Sequence, residues 1–156
     1  MSRIQLALNV DDLDEAIVFY SKLFGTTPAK VKPGYANFAI TEPPVKLVLL
    51  ENPGQGGTLN HLGVEVQASE QVHTEIARLT EQGLFTEEEI GTTCCFALQD
   101  KVWVTGPGGE RWEVYAKLAD SETYFQDAGA VPVAEHEAAT GCCGADCCGA
   151  EQPVVR

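Results

Sequence analysis

Gln5-Leu-Ala-Leu-Asn-Val10, near the start of the chain, has a counterpart in His61-Leu-Gly-Val-Glu-Val66, 56 residues further on. In each stretch apolar residues alternate with polar or small ones, which is the pattern of a β-strand buried on one face. Similarity at a fixed offset indicates an internal repeat. The sequence therefore predicts two related modules.

Each of these strands is followed by the same series of elements. Amphipathic helices are predicted over residues 12–24 and 69–82. The candidate N-caps are Asp11, Asp12 and Ser69, and the candidate ends are Gly25 and Gly83. Three strand-like runs follow each helix, at 29–32, 35–40 and 45–51 in the first half and at 85–90, 95–105 and 111–117 in the second. We expect an α+β fold with two tandem strand-helix-strand-strand-strand modules, about 3–52 and 58–118. Their curved mixed sheets are expected to form one cup.

Composition narrows the class of protein. At 156 residues and 44% hydrophobic, the chain can form one domain, or two halves that share a core. Its first residues lack the apolar run of a signal peptide, and no stretch reaches the roughly 20 apolar residues of a membrane span. We therefore expect a cytoplasmic protein with no membrane partner. A net charge of −13 disfavours nucleic acid as a partner.

The C-terminal region, 119–156, has no periodic apolar face and is predicted to be a disordered, acidic, Cys-rich tail. Its thiols, which could close around a soft ion without a prior fold, are Cys142, Cys143, Cys147 and Cys148. The alternative is an incidental Cys-rich terminus. The sequence leaves open whether the protein is a monomer or a homodimer.

Cys94 and Cys95 are adjacent in sequence, an unusual arrangement for two thiols. Neighbouring Cα atoms lie about 3.8 Å apart, less than the roughly 4.4 to 6.8 Å that a disulfide spans. A single soft atom, such as trivalent arsenic or cadmium, can bridge both thiolates without that strain. Adjacent residues of a strand point to opposite faces, so both cysteines are predicted to lie in a loop after Gly91.

Three polar residues are predicted to face the cup. Gln5 and His61 occupy equivalent positions of the repeated strands, on the faces opposite the apolar residues. In Arg111-Trp-Glu-Val-Tyr115, Glu113 lies on the polar face, whereas Val48, its counterpart in the first half, cannot bind a metal. The candidate ligands are therefore Gln5, His61 and Glu113.

This donor set, with one nitrogen, two oxygens and no sulfur, suits Fe(II), Mn(II), Co(II) or Ni(II) with positions left open for other ligands. Each residue also has a simpler interpretation. His61 could be a hydrogen-bonded core or edge residue, Gln5 could face solvent, and Glu113 could pair with Arg111 or Lys101.

The modules, together with Asn60-His-Leu-Gly63 and Gly106-Pro-Gly-Gly-Glu-Arg-Trp-Glu-Val-Tyr115, resemble the vicinal-oxygen-chelate superfamily of glyoxalases, extradiol dioxygenases and bleomycin-resistance proteins. More specifically, Lys32-Pro-Gly-Tyr-Ala-Asn-Phe38 and Gly91-Thr-Thr-Cys-Cys-Phe96 resemble the carbon-arsenic lyases and the related cadmium-induced proteins.

This resemblance implies an Fe(II)-dependent dioxygenase that cleaves trivalent organoarsenicals, such as methylarsenite and reduced aromatic arsenicals, and releases arsenite. It places the metal on Gln5, His61 and Glu113 and the arsenic on Cys94 and Cys95. The partners it implies are the organoarsenical and dioxygen.

Three other functions are compatible with parts of the sequence. The first is a non-catalytic protein that sequesters cadmium or arsenic with its thiols. The second is a glyoxalase-type isomerase, which needs a second carboxylate where this chain has Val48. The third is an antibiotic-binding protein, which needs neither the metal ligands nor the clustered thiols.

Overall fold

The computed structural model describes residues 2–126 of the chain. Its first module consists of β1 (Arg3–Val10), α1 (Leu13–Phe24), β2 (Lys30–Lys32), β3 (Tyr35–Ile40) and β4 (Val45–Glu51). The second consists of β5 (Leu59–Val66), α2 (Ser69–Glu81), β6 (Glu87–Cys94), β7 (Ala97–Thr105) and β8 (Arg111–Asp120), followed by a short β9 (Phe125–Gln126). The predicted order of helix and strands in each module is confirmed.

All the strands belong to one mixed sheet in the order β2-β3-β4-β1-β5-β8-β7-β6-β9. β1 pairs with β4 and β5 pairs with β8 in parallel, so each module joins its first strand to its last. β1 and β5 pair antiparallel with each other, and Ala7 faces His61 across the ladder. The two modules therefore form one curved sheet, and the predicted α+β class is confirmed.

The helices cover the convex face of the sheet, where the strands have their apolar side chains. Leu6 and Leu8 of β1 pack with Leu13 of α1 against a buried cluster that contains Phe38 and Leu49. In the second module, Val72 and Leu79 of α2 pack against Val102, Ala116 and the partly buried Val66. Burial of this apolar surface stabilises the fold and leaves the opposite face of the sheet to form the cup.

The predicted caps are confirmed for α1 and wrong for the start of α2. The Asp12 carboxylate accepts a hydrogen bond from the Glu15 amide, and Gly25 ends α1 with a φ of 62°. The N-cap of α2 is Ala68, whereas Ser69 is the first helical residue. The Ser69 hydroxyl instead donates a hydrogen bond to the Asp100 carboxylate, which ties the helix to β7.

Ordered structure continues past residue 118, where the apolar pattern ends. β8 runs to Asp120, and the chain then returns so that β9 pairs with the end of β6. This pairing uses backbone hydrogen bonds, which leave no apolar periodicity in the sequence. Cys142, Cys143, Cys147 and Cys148 lie outside the described residues. No helix within residues 2–126 is long and apolar enough to cross a bilayer.

Candidate functional site

The concave face of the sheet encloses a cavity of about 290 Å³ that is lined by side chains from both modules. Gln5, His61 and Glu113 line it, and so do Cys94 and Cys95. The structure therefore brings the three candidate metal ligands and the two candidate arsenic ligands to the walls of one cavity. The candidate metal ligands lie on β1, β5 and β8. Cys94 is the last residue of β6, and Cys95 lies in the turn that leads to β7.

The side chains of Gln5, His61 and Glu113 converge on one point. Gln5 Nε2 lies 3.1 Å from His61 Nε2 and donates a hydrogen bond to Glu113 Oε1 over 2.6 Å. His61 Nε2 lies 3.4 Å from Glu113 Oε1. Neighbouring ligands of an octahedral ion with bonds of about 2.1 Å lie about 3.0 Å apart. The spacing of the three groups therefore fits a single divalent ion.

One feature of this donor set is unusual, because its third member is an amide. Within residues 2–126, no three His, Cys, Asp or Glu side chains converge to hold a metal. In the structure Gln5 presents its amide nitrogen to the other two ligands. The nitrogen of a neutral amide is a hydrogen-bond donor and cannot bind a cation. A half-turn of the amide exchanges its nitrogen and oxygen and completes a set of one nitrogen and two oxygen ligands.

Gly63 lets these side chains come so close together. A Cβ atom at this position would lie 3.1 Å from Glu113 Cγ and 3.2 Å from Gln5 Cβ. Gly63 pairs with Gln5 on one side and with Glu113 on the other. Because Gly63 has no side chain, Gln5 on one flanking strand and Glu113 on the other can come into contact.

His61 is held with its Nε2 atom directed at the candidate metal site. Its Nδ1 atom lies 2.7 Å from the Asn60 side-chain oxygen, which can only accept a hydrogen bond. The proton therefore resides on Nδ1 and leaves a lone pair on Nε2. The Asn60 amide in turn donates a hydrogen bond to the Asn9 side-chain oxygen. The Trp103 ring packs edge-on against the imidazole, with 5.4 Å between the ring centroids.

Glu113 is buried and has a cationic partner. Its side chain contacts the Lys101 ammonium at 3.4 Å, one of the two pairings that the sequence suggested. The other predicted partner, Arg111, contacts Glu87 instead. Burial acts to raise the pKa of Glu113, but the Lys101 ammonium and the hydrogen bond from Gln5 oppose it, and the pKa lies below its ordinary value. Glu113 is therefore ionised, which is the form in which a carboxyl group binds a metal.

Cys94 and Cys95 lie at the turn between β6 and β7. The predicted loop after Gly91 is wrong in part, because β6 continues through a bulge at Gly91 and ends at Cys94. Cys95 and Phe96 form a two-residue turn with φ values of 55° and 60°. Such values are rare for residues other than glycine and cost about 1 to 3 kcal/mol each. This conformation brings the two sulfur atoms to 3.2 Å from each other.

Hydrogen bonds from the end of the described chain hold this turn in place. The Cys95 amide donates to the Tyr124 carbonyl over 2.8 Å, and the Ser121 amide donates to the Phe96 carbonyl over 2.9 Å. The Lys30 ammonium also donates to the Phe96 carbonyl over 2.9 Å. These contacts stabilise a backbone conformation that the local sequence disfavours.

The two thiols differ in acidity. The pKa of Cys94 is lowered to about 6, because the Cys95 thiol donates a hydrogen bond to its sulfur and the Lys101 ammonium lies nearby. The pKa of Cys95 is raised by this hydrogen bond and by burial. At neutral pH the pair therefore holds one thiolate, which is the form that binds a soft atom.

The cavity is rich in cations although the whole chain is acidic. Five of the ten basic residues of the chain line it: Arg3, Lys30, Lys46, Lys101 and Lys117. No sequence pattern indicates this clustering, because these residues are spread over both modules. Each of these cations contacts a carboxylate that also lines the cavity, namely Glu65, Glu113 or Asp120. Of the five, Lys101 is the one that lowers the pKa of Cys94.

Comparison with known proteins identifies the class. The model of the Glyoxalase/Bleomycin resistance protein/Dioxygenase superfamily matches residues 3–114, and the chain belongs to this superfamily. The family resemblance expected from the sequence is confirmed. Two solved structures with this fold are an extradiol ring-cleaving dioxygenase from B. fuscum (22% identity, TM-score 0.56) and an Mn(II)-bound glyoxalase from Novosphingobium aromaticivorans (17% identity, TM-score 0.55). The dioxygenase alignment covers 77% of this chain and 34% of the dioxygenase chain. The glyoxalase alignment covers 83% of this chain and 44% of the glyoxalase chain.

Two curated relatives are much more similar to this chain. A trivalent organoarsenical cleaving enzyme from Thermomonospora curvata is 58% identical over 151 residues, which cover 95% of this chain and all of the relative. The cadmium-induced protein CadI of Mycobacterium tuberculosis strain H37Rv is 80% identical over 124 residues, which cover 80% of this chain and 82% of the relative. Both subgroups that the sequence suggested are therefore represented among the relatives.

Proposed function

We propose that this protein is an Fe(II)-dependent dioxygenase that cleaves the carbon–arsenic bond of trivalent organoarsenicals and releases arsenite. Methylarsenite and reduced aromatic arsenicals are the proposed substrates. The observation that carries the proposal is the presence, in one cavity, of a nitrogen and oxygen donor set and of two sulfur atoms 3.2 Å apart. The 58% identity to an organoarsenical cleaving enzyme supports the reaction.

The thiols of Cys94 and Cys95 would bind arsenic. Two sulfur atoms at 3.2 Å can both reach one atom whose bonds to sulfur are about 2.3 Å long. The low pKa of Cys94 provides a thiolate near pH 7. Bound in this way, arsenic would direct its organic group into the cavity. The organic group and the metal site would then be held together, so that their reaction becomes effectively unimolecular.

Gln5, His61 and Glu113 would hold Fe(II), which when bound supplies the site where dioxygen is activated. His61 offers its Nε2 lone pair and Glu113 offers a carboxylate that lies deep in the cavity. Val48 lies at the position of a fourth ligand and is 3% exposed, so part of the site is apolar. The missing carboxylate argues against a glyoxalase-type isomerase, which needs that group as a base.

The net reaction balances without an external reductant. Methylarsenite, CH₃As(OH)₂, and O₂ give formaldehyde and As(OH)₃. Arsenic stays trivalent, the carbon loses four electrons, and dioxygen gains them. The proposed site therefore needs an oxygen-activating metal and an arsenic-binding group, and the free thiols need a reducing compartment such as the cytoplasm.

A second candidate is a thiol protein that sequesters cadmium or arsenic without turnover. The 80% identity to a cadmium-induced protein favours it. Turnover separates the two functions. Protein loaded with Fe(II) without oxygen and then given excess methylarsenite and air is expected to release several equivalents of arsenite per chain. Metal-free protein should release none. Capture of a fixed number of arsenic atoms, with no arsenite released by the Fe(II)-loaded protein, would favour sequestration.

A further inference from the structure

The hydroxyl of Tyr115 contacts three polar side chains, one of which is the candidate metal ligand Gln5. It lies 2.6 Å from Gln5 Oε1 and 2.9 Å from Glu65 Oε2, and it accepts a hydrogen bond from the Lys46 ammonium over 2.9 Å. Tyr115 is 1% exposed, so solvent does not replace any of these partners. The phenol is therefore fixed by its neighbours in the protein.

A phenol has one proton to donate and two lone pairs to accept with. In the arrangement just described, Lys46 uses one lone pair, while Gln5 Oε1 and Glu65 Oε2 both require the single proton. One of these two oxygens must then face the phenol oxygen with no proton between them. Two acceptors at such a distance repel each other, and a buried polar atom without a partner costs about 1 to 3 kcal/mol.

A half-turn of the Gln5 amide removes this conflict. Its NH₂ group then donates to the phenol oxygen, the phenol donates to Glu65, and Lys46 keeps its hydrogen bond. The same half-turn points Gln5 Oε1 at His61 Nε2 and Glu113 Oε1. Three acceptors would then face one another, an arrangement that is stable only with a cation between them.

We infer that Tyr115 is a positioning residue that sets the orientation of the Gln5 amide and thereby couples it to metal binding, an inference that rests on the proposed metal site. When the ion is bound, Tyr115 accepts a hydrogen bond from Gln5 and holds the amide oxygen toward the ion. Glu65 accepts the hydrogen bond that the phenol donates, so that the phenol oxygen presents a lone pair to Gln5. Lys46 and Arg3 fix Glu65 from the other side, at 3.5 Å and 3.1 Å.

A double-mutant cycle tests this role, with Co(II) affinity measured by visible absorption as the readout. The parent carries serine at the four tail cysteines, so that their thiols do not bind Co(II). Tyr115→Phe removes the hydroxyl and keeps the ring. It is expected to weaken Co(II) binding by about 10- to 100-fold, the usual effect of losing a group that orients a metal ligand. In a Gln5→Glu background both terminal atoms of the side chain are oxygens, so a half-turn of the group no longer changes which atom faces the metal. There Tyr115→Phe is expected to change the affinity by less than about threefold.

Two further variants sharpen the result. Tyr35→Phe changes another buried tyrosine of the same cavity, whose hydroxyl accepts from Asn37 rather than touching Gln5, and should leave Co(II) affinity unchanged. Glu65→Gln offers the phenol an amide that can donate as well as accept, so it should weaken Co(II) binding in the parent and not in Gln5→Glu. This variant carries the test if Tyr115→Phe does not fold.

The outcomes separate the inference from the proposed function. An equal loss of affinity from Tyr115→Phe in both backgrounds would mean that the hydroxyl has a general structural role, and the inference would be wrong while the metal site stands. If the parent, with its tail cysteines replaced by serine, binds no Co(II), or binds it equally well after His61→Ala, both the metal site and the inference are wrong.

Discussion

The sulfur atoms of Cys94 and Cys95 lie 3.2 Å apart in a turn whose second cysteine has a φ of 55°. In an extended strand these neighbours would point to opposite faces. The turn therefore keeps two thiols together at the wall of a cavity whose other polar groups are nitrogen and oxygen donors. Under the proposed function, capture of arsenic and activation of oxygen depend on different residues, so variants should separate them.

Cys94→Ser and Cys95→Ser should each weaken binding of methylarsenite by about 100-fold, because loss of one sulfur removes the gain from two linked contacts. Equilibrium dialysis with arsenic detection measures this. The parent should carry serine at Cys142, Cys143, Cys147 and Cys148, so that tail thiols do not contribute. Unchanged affinity in either variant would contradict the assignment of these thiols.

His61→Ala and Glu113→Ala should have the opposite effect. Each removes a proposed metal ligand, so arsenite release should fall by about 100-fold or more, since the metal is expected to be lost or misplaced. Binding of methylarsenite under nitrogen should stay within about threefold of the parent, because the thiols remain. Either variant that keeps full turnover would show that its residue does not hold the metal.

The reactivity of Cys94 should depend on pH with a low midpoint. Because its pKa is lowered to about 6, the thiolate forms as pH rises through about 6, and alkylation by iodoacetamide should level off near pH 7.5. An ordinary thiol would still be gaining reactivity at about pH 8.5. Mass spectrometry of the peptide that contains Cys94 gives the rate at each pH.

Lys101→Met should move this midpoint to higher pH, since it removes the nearby ammonium. Lys46→Met is the matched control, because Lys46 lines the same cavity but contacts Tyr115 and Glu65. A midpoint that both variants shift equally would point to general charge in the cavity. A parent midpoint near that of a free cysteine would contradict the described environment of Cys94.

Gly63→Ala should damage the metal site. The added methyl group would lie 3.1 Å from Glu113 Cγ and 3.2 Å from Gln5 Cβ, closer than ordinary van der Waals contact, so these neighbours must shift. Overpacking of this kind costs about 1 to 3 kcal/mol, and we expect Co(II) affinity to fall about tenfold or more. Urea unfolding and Co(II) titration measure the two effects.

Gly34→Ala is the control for this experiment. Gly34 has a φ of 69° and open space around it, so alanine there strains the backbone without touching the site. It should lower the free energy of unfolding by about 1 kcal/mol and leave Co(II) affinity unchanged. Equal metal affinity in Gly63→Ala and the parent would show that close approach at Gly63 is not required.

Local patterns were enough to predict most of the fold. Alternation in the strand at Gln5 correctly placed its side chain on the face opposite the helix, and Gln5 is buried there rather than exposed to solvent. The repeat then put His61 on an equivalent strand of the same sheet. Both inferences depend on the period of two in a β-strand, which is visible in the sequence itself.

The parts that were missed depend on contacts between distant residues. The sequence predicted a strand from Cys95 and also a loop that holds both cysteines. The loop prediction holds for Cys95, but Cys95 and Phe96 form a turn without the Asn or Gly that usually marks one, so its position was missed. Contacts from Ser121 and Tyr124 hold that turn. Similarly, Tyr115 meets Gln5 across 110 positions, and no local pattern encodes such a pair.

The most direct test of the central claim is the stoichiometry of dioxygen and arsenite in one sealed reaction. Protein loaded with Fe(II) receives excess methylarsenite, and an oxygen electrode and arsenic speciation follow both species. The proposed reaction predicts one arsenite for each O₂ consumed, over several turnovers. Arsenic that stays bound with no consumption of O₂, or arsenite that forms equally fast without O₂, would contradict it.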